Sequence, residues 1–588
     1  VPQREAHPVR ASRLALILAL AVAGVLALAA CGASSNLTAA VSSGAQSAGN
    51  TGTASTGTAS TGTASTGTAT GATGTTGSGT TGTGTTGTGT STAGNGTAST
   101  GTGTVATSTN TSTLPTATTP AATRASVATG SDAPVAPTST QQGFLGIATE
   151  LSTVTALAGS SSNLDTPYVQ LLRNLSPGAP LLLRLGGDST DWDWWAVPGM
   201  KQPAGIRYTM TPQWGATVKA LLNAVGAKAL LGVNLELDSK RVAAYEVKQY
   251  ERYVGSNLIY GFELGNEPEL YAAFNYYHLS NGTGVPGRAV GHYSLLDYAK
   301  DFSNLATVLA GRPLVGPSSG SPSWLPDLSE MLANLPARLK LVTVHAYPLK
   351  HCSPSSQVSV SDFFLPASIS GLADSIRAMV QAAAAHGKPL RLDEINGITC
   401  GGEAGVSNTF AESLWALNVL PALWQAGVEG VNFQDVDGNL NQVITAGETK
   451  SGWSVTVQPE YYGLMAFADI APAGSHLLKL TDPGYPDFYQ YGVKDPDGTR
   501  KVVLTNVGAS ARTVGVSVAG GHGPALIARL TAPSLTATSH TTLGGQHLSA
   551  STGALTGHPT YTLVTTNARG VYAVRVPADS AAILTVGS

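Results

Sequence analysis

The sequence predicts an α/β chain: a (β/α)8 TIM barrel followed by an all-β sandwich, behind a disordered N-terminal linker. Three observations predict it. Eight short apolar runs recur between 143 and 436, with helical patterns between most of them. After about Trp453 the pattern becomes short, alternating and punctuated by turn residues. Before about 123 lies a long tract of threonine, glycine, serine and alanine, with repeats such as TGTAS, that offers no apolar face. Such a tract buries too little surface to offset chain entropy.

The elements follow in chain order. Residues 1–30 read as a signal segment: Arg4, Arg10 and Arg13 precede the apolar run LALILALAVAGVLALAA. The run ends LAAC and is followed by Gly32, which resembles a bacterial lipoprotein signal. That resemblance implies cleavage before Cys31, lipidation of its thiol, and a chain held outside the cytoplasm on the bacterial cell membrane. An uncleaved anchor helix is the other reading, with the same placement. Residues 31–123 form the linker, and 124–142 offer a strand to the β domain. The barrel is expected over 143–455 and the sandwich over 456–588.

The eight runs are GFLGIATE (143–150), PLLLRLGG (180–187), ALLGVNLE (229–236), NLIYGFELGNE (257–267), PLVGPSSG (313–320), LKLVTVHAY (339–347), KPLRLDEIN (388–396) and VEGVNFQDV (428–436). Helical spacing marks 211–227, 293–311, 369–387 and 407–427, the last with Ser407 as a cap and Pro421 as a kink. Strands alternating with helices over such a length fit a closed barrel. A doubly wound sheet would place a glycine-rich nucleotide loop after its first strand, and GIATELSTV is not one.

Charge narrows the function. Only 11% of residues are charged and the formal net charge is −3. No basic run of the kind that binds nucleic acid occurs in the folded part, so no nucleic-acid partner is expected. With Cys31 set aside, Cys352 and Cys400 remain. In an oxidising compartment they are expected to pair, two buried thiols being the alternative.

Reacting groups of such barrels sit where strands end. These ends carry Glu150, Asp188, Asn234 with Glu236, Asn266 with Glu267, Ser318, His345 with Tyr347, Glu394 with Asn396, and Gln434 with Asp435. The set is rich in carboxylates and amides, with no metal-type cluster and no lysine placed for a Schiff base. No metal and no cofactor are expected. Glutamates at the ends of strands 4 and 7 point to glycoside hydrolysis by paired carboxylates.

LGNEPEL after strand 4, and LDEINGITCGGEAGVSNTFAESLW after strand 7, resemble the retaining glycosidases of clan A, and most closely glycoside hydrolase family 79. LRLGGDSTDWDWW is similar to that family's second-strand motif. The resemblance spans about Gly143 to the C-terminus. It implies Glu267 as general acid/base, Glu394 as nucleophile, Asn266 on the sugar 2-hydroxyl, and Tyr347 as a donor to the nucleophile. In such a mechanism Glu394 attacks as an anion while Glu267 gives its proton to the leaving oxygen.

The neighbours are weighed beside them. Glu263 reads as a buried ion-pair residue and Glu269 as a loop residue. Successive strand residues face opposite ways, so only one of Asp393 and Glu394 is expected to face the site. Glu150 and Asp188 are candidates for sugar hydroxyls, with structural pairing nearly as good an account. His345 is a substrate contact or a packed strand end, and Trp192, Trp194 and Trp195 are sugar platforms or core.

The family's uronate-binding tyrosine is expected where this chain has Cys400, in ITCGG. Backbone amides of Gly401 and Gly402 remain as carboxylate donors. The resulting expectation is a retaining β-glycoside hydrolase of the β-glucuronidase type, acting on extracellular glycosides or polysaccharides. A neutral-sugar β-glycosidase of the same clan is the alternative, and a non-catalytic surface carbohydrate-binding protein is the reading from another class.

Overall fold

The computed structural model describes residues 127–320, 323–335 and 339–587. The signal segment, Cys31 and most of the linker lie outside the described residues. Eight parallel strands close into a barrel. They are β1 (Leu145–Glu150), β2 (Leu182–Gly186), β3 (Lys228–Val233), β4 (Ile259–Leu264), β5 (Leu314–Ser319), β6 (Leu339–Ala346), β7 (Leu390–Ile395) and β8 (Gly430–Gln434). Each expected run holds one of them, β3 beginning one residue earlier, at Lys228.

A helix follows every strand: α1 (Thr166–Asn174), α2 (Pro212–Val225), α3 (Lys240–Tyr250), α4 (Leu295–Ala306), α5 (Leu328–Asn334), α6 (Ser370–Ala385), α7 (Phe410–Ala426) and α8 (Glu460–Ile470). Their starts obey capping chemistry. Asp165 accepts from the Tyr168 amide at 2.8 Å ahead of α1, and Ser294 and Asp297 form a capping box at α4. Two expectations change here. Thr409, not Ser407, stands at the start of α7, and the Ser407 hydroxyl accepts from the Glu403 amide instead. Helix α8 lies beyond residue 455, in the segment read as sandwich; it closes the eighth βα unit.

Inward-facing residues fill the barrel in layers. Leu182, Leu230, Val315 and Leu341 form an apolar floor. Above it the filling turns polar, with Arg184, Glu263, Thr343 and Asp393 all fully buried.

The C-terminal strands build an antiparallel domain with its own core, which includes Val502, Leu504, Val514, Val574 and Leu584. Strand Val127–Pro134 joins it, antiparallel to His476–Leu480 and parallel to Arg512–Ser517. Alternation puts Val503 and Ile583 on the other face, in the core shared with the barrel. Helix α7 is buried along nearly its whole length, and its first amides, of Phe410 and Ala411, bond the carbonyls of Ala537 and Leu535 in the C-terminal domain.

Candidate active site

The expected pair, Glu267 and Glu394, meets at the C-terminal mouth of the barrel. One oxygen of each, together with a ring nitrogen of His345, lies within 4.8 Å of the others. Glu267 follows β4 and holds a left-handed backbone at φ 41°, which for a non-glycine residue costs on the order of 1 kcal/mol or more. Its amide bonds the carbonyl of Ser318 at 2.9 Å, and Ser318 at the end of β5 is left-handed as well, at φ 56°. Glu394 is buried at 6% exposure, whereas the Glu267 side chain is 27% exposed.

Three donors hold Glu394. Tyr347 Oη and Gln434 Nε2 donate to Oε1 at 2.7 and 3.0 Å. An Arg184 terminal nitrogen donates to Oε2 at 2.8 Å. Charge-assisted bonds of this kind are short and strong and fix the carboxylate in place. Arg184 also donates to Glu263 at 2.8 Å, to Asn266 Oδ1 at 2.7 Å and to Ser318 Oγ at 2.9 Å. Burial alone would lower the Arg184 pKa, but the charges of Glu263, Asp393 and Glu394 hold it well above the usual value. Glu263 is therefore the buried ion-pair residue that its position suggested. Burial, with Asp393 nearby and Arg184 opposing, pushes its carboxyl up to about 8.

Asp393 overturns one expectation. Both it and Glu394 face the interior. The register runs Val344 to Leu392 and then His345 to Glu394, so β7 carries an extra residue at Asp393. A bulge of this kind breaks simple alternation and re-aims the next side chain. Asp393 accepts from Ser318 Oγ at 2.6 Å and lies 3.5 Å from His345 Nε2. Despite burial, His345 and Arg184 hold its carboxyl well below the usual range. His345 Nδ1 is 3.0 Å from Glu267 Oε1 and 3.7 Å from Glu394 Oε1. It thus belongs to the site.

Asn266 sits beside Glu267. Its side chain accepts from Arg184 and donates to Asp188 Oδ1 at 3.3 Å. Its amide bonds the buried Asp191, which also accepts from Tyr271 Oη and from the amides of Leu235 and Glu236. Asp188 reaches the open mouth. There, thinned hydration and the charges of Glu150, Glu267 and Glu394 push its carboxyl up. Glu150 has a structural task, accepting from the amides of Asp188 and Ser189 at 3.2 and 2.7 Å. Gly187 is left-handed, and a Cβ there would come 2.3 Å from Glu150 Oε1, which explains the second glycine of LGGD. Trp194 and Trp195 are core, Trp195 stacking on Tyr253 at 5.5 Å. Trp192 carries the Arg207 guanidinium on its ring at 3.7 Å. Glu269 accepts from the Gly320 amide at 2.8 Å, and burial together with Glu267 pushes it up to about 7.

The Cys352–Cys400 disulfide joins the loops after β6 and β7. Beside it, the Leu349 amide donates to the Gly397 carbonyl and the Leu349 carbonyl accepts from the Thr399 amide, and His351 pairs with Glu403 at 2.5 Å. Gly401 and Gly402 are both left-handed in this turn. The Gly402 amide is bonded to the Thr399 carbonyl at 3.3 Å, so it is engaged within the loop rather than offered to a ligand.

The trio Glu267, His345 and Glu394 is also compact enough to hold a cation. Sequence spacing did not reveal such a cluster, because it comes from three separate strands. Arg184 and Asp191 were also missed as site residues, and Ser318 and Gln434 were named only as strand ends with no role given. The available signal was a lone arginine inside the apolar run PLLLRLGG.

Residues 490–583 match the glycosyl hydrolase family 79 C-terminal beta domain. No curated protein matches the chain by sequence. Among solved structures, a 4-O-α-L-rhamnosyl-β-D-glucuronidase from Fusarium oxysporum 12S is similar in fold, with TM-score 0.62 and 19% identity over 78% of this chain and 98% of its own. A family 51 α-L-arabinofuranosidase from Bifidobacterium longum gives TM-score 0.55 and 16% identity over 78% and 99%. The family 51 arabinofuranosidase from Xanthomonas axonopodis pv. citri gives 0.53 and 16% over the same shares. The chain thus carries a glycosyl hydrolase family 79 C-terminal beta domain behind a barrel that shares the fold of these glycosidases.

Proposed function

We propose that this glycosidase cleaves β-glycosides by double displacement, with Glu394 as nucleophile and Glu267 as acid/base. The observation that carries this reading is the short carboxylate separation, within 4.8 Å for the nearest oxygens. Retaining enzymes hold their carboxyl groups about 5–5.5 Å apart, whereas inverting ones leave room for a water at about 6.5–9.5 Å. The Glu394 carboxylate bonds to the anomeric carbon as the glycosidic bond breaks, and Glu267 protonates the departing oxygen. Glu267, now ionised, takes a proton from water, whose oxygen displaces Glu394 from the sugar.

A terminal β-glucuronide is the substrate we favour. The family 79 domain supports it, as does the fold likeness to a rhamnosyl-glucuronidase. A neutral β-glycoside is the second reading. It is favoured by Cys400, which stands where the family's uronate-binding tyrosine is expected and is tied up in its disulfide, and by the Gly402 amide, one of the two expected carboxylate donors, which is engaged within the loop. A panel of aryl β-glycosides, with product stereochemistry followed by proton NMR, tests both. Retention on the glucuronide is the expected result, and an inverted product or no turnover on any member overturns the reading.

We also propose that the enzyme works outside the cytoplasm on a lipid anchor at Cys31. Labelled fatty acid should enter the full chain and be lost in Cys31→Ser.

A further inference from the structure

Hydrogen-bond accounting around Ser318 assigns the protons of the site. A serine hydroxyl has one hydrogen and two acceptor positions. The Ser318 hydrogen goes to Asp393 Oδ2, at 2.6 Å. Arg184 donates into Ser318 Oγ at 2.9 Å. The remaining partner, His345 Nε2 at 3.0 Å, must then be a donor. The other ring nitrogen, Nδ1, faces Glu267 Oε1 at 3.0 Å and Glu394 Oε1 at 3.7 Å. Asp393 lies 3.5 Å from Nε2 on the opposite side. A fully buried imidazole thus has a carboxylate at each end and a third beside it. Burial alone would lower its pKa, but Glu394 and Asp393 raise it well above the usual value.

We propose that Asp393, acting through a doubly protonated His345, is the positioning residue that decides which oxygen of Glu267 carries the catalytic proton. With hydrogen on both ring nitrogens, His345 can only donate. Glu267 Oε1 can only accept from it, so the Glu267 proton sits on Oε2, the oxygen left for the leaving group. A neutral ring would accept at Nδ1, draw the proton onto Oε1 and hold it away from the glycosidic oxygen. No atom is gained or lost in this arrangement. It sets where the proton waits before it passes from Oε2 to the leaving oxygen as the carbon–oxygen bond breaks. Asp393 can fill this role because the bulge on β7 turns it inward together with Glu394.

The inference rests on the roles proposed for Glu267 and Glu394, and two measurements test it. In the first, Asp393→Asn is compared with the unaltered enzyme on phenyl and dinitrophenyl glycosides of one sugar. Turnover of the phenyl glycoside, which needs acid assistance, should fall about 100-fold, within the range that general acid catalysis contributes. The dinitrophenyl glycoside should change less than about threefold. In a Glu267→Gln background the same substitution should add nothing on the phenyl glycoside. Equal loss on both substrates, as a merely structural role would give, overturns the proposal. The second measurement reads the proton assignment on the unaltered chain, and a variant serves only to identify the signal. Nitrogen-15 spectra of the unaltered chain with labelled histidine should show both His345 nitrogens protonated at neutral pH, identified by the signal lost in His345→Gln. A neutral ring overturns the assignment. A chain inert toward every aryl glycoside would sink the proposed roles, and the nitrogen spectra would then decide the proton assignment alone.

Discussion

Arg184 does more for the site than any other single residue. Its fork bonds the nucleophile, Asn266, Ser318 and Glu263 at once. A lysine carries the charge but cannot span four acceptors in one plane. Removing one member of a buried charge network leaves its partners uncompensated, typically at a cost of about 3–5 kcal/mol. Arg184→Leu should therefore lower Tm strongly and abolish turnover, and Arg184→Lys should lose most activity with a smaller Tm loss. Calorimetry and aryl-glycoside kinetics on the two variants check this. Tyr347→Phe isolates one bond, the 2.7 Å donor to Glu394 Oε1. A hydrogen bond to a charged group is worth about 1.5–3 kcal/mol, so kcat should fall roughly 10–100-fold. Tm should barely move; a large Tm drop would show that Tyr347 acts on the fold instead.

At the scale of elements, three departures from regular structure shape the mouth. The bulge on β7 presents Asp393 and Glu394 together. Left-handed residues at the ends of β4 and β5 lock Glu267 to Ser318. The disulfide ties the loops that follow Tyr347 and Glu394, closing a loop with sequence separation 48. A loop of this size is worth about 4 kcal/mol in the chain-entropy account, and native disulfides typically about 2–4. Cys352→Ser with Cys400→Ser should lower Tm. It should also raise KM more than it lowers kcat, because the loops shape the pocket while Arg184 and Gln434 still hold the nucleophile. Steady-state kinetics on the double variant decide this, and an unchanged KM would remove the loops from substrate binding.

The whole molecule keeps many carboxyl groups out of water. Asp435 and Glu269 are raised to about 7, and Asp193 and Glu236 to about 9, burial being the main cause in each. Each holds its proton in the folded chain at a pH where the unfolded chain, with carboxyls near about 4, has released it. This contribution is complete below about pH 4 and is lost as pH rises through about 7 to 9. Asp393 works the other way, since acid must protonate a carboxylate that the fold keeps charged. Tm should therefore peak in mild acid and fall between about pH 6 and 9. Scanning calorimetry across that range checks the sign, and a rising Tm would contradict it.

Short-range chemistry made much of this legible in sequence. Eight apolar runs at barrel spacing marked all eight strands, and turn-punctuated alternation marked the C-terminal domain, because burial and backbone geometry imprint their periods on residue order. The motifs GFELGNEPEL and RLDEIN pointed to the two glutamates for the same reason: each lies at a strand end, where a barrel puts its chemistry. What only the tertiary structure decided is how charges far apart in sequence share one buried volume. Arg184, Glu263, Ser318, His345, Asp393 and Glu394 come from five strands, and their protonation depends on mutual distances of about 3 Å that no local pattern records. Glu150, open in sequence between a sugar contact and a structural role, anchors a loop, and Asp393 turned from an outward residue to an inward one. A single bulge and a single pair of amide bonds, both set by strand neighbours distant in sequence, made the difference.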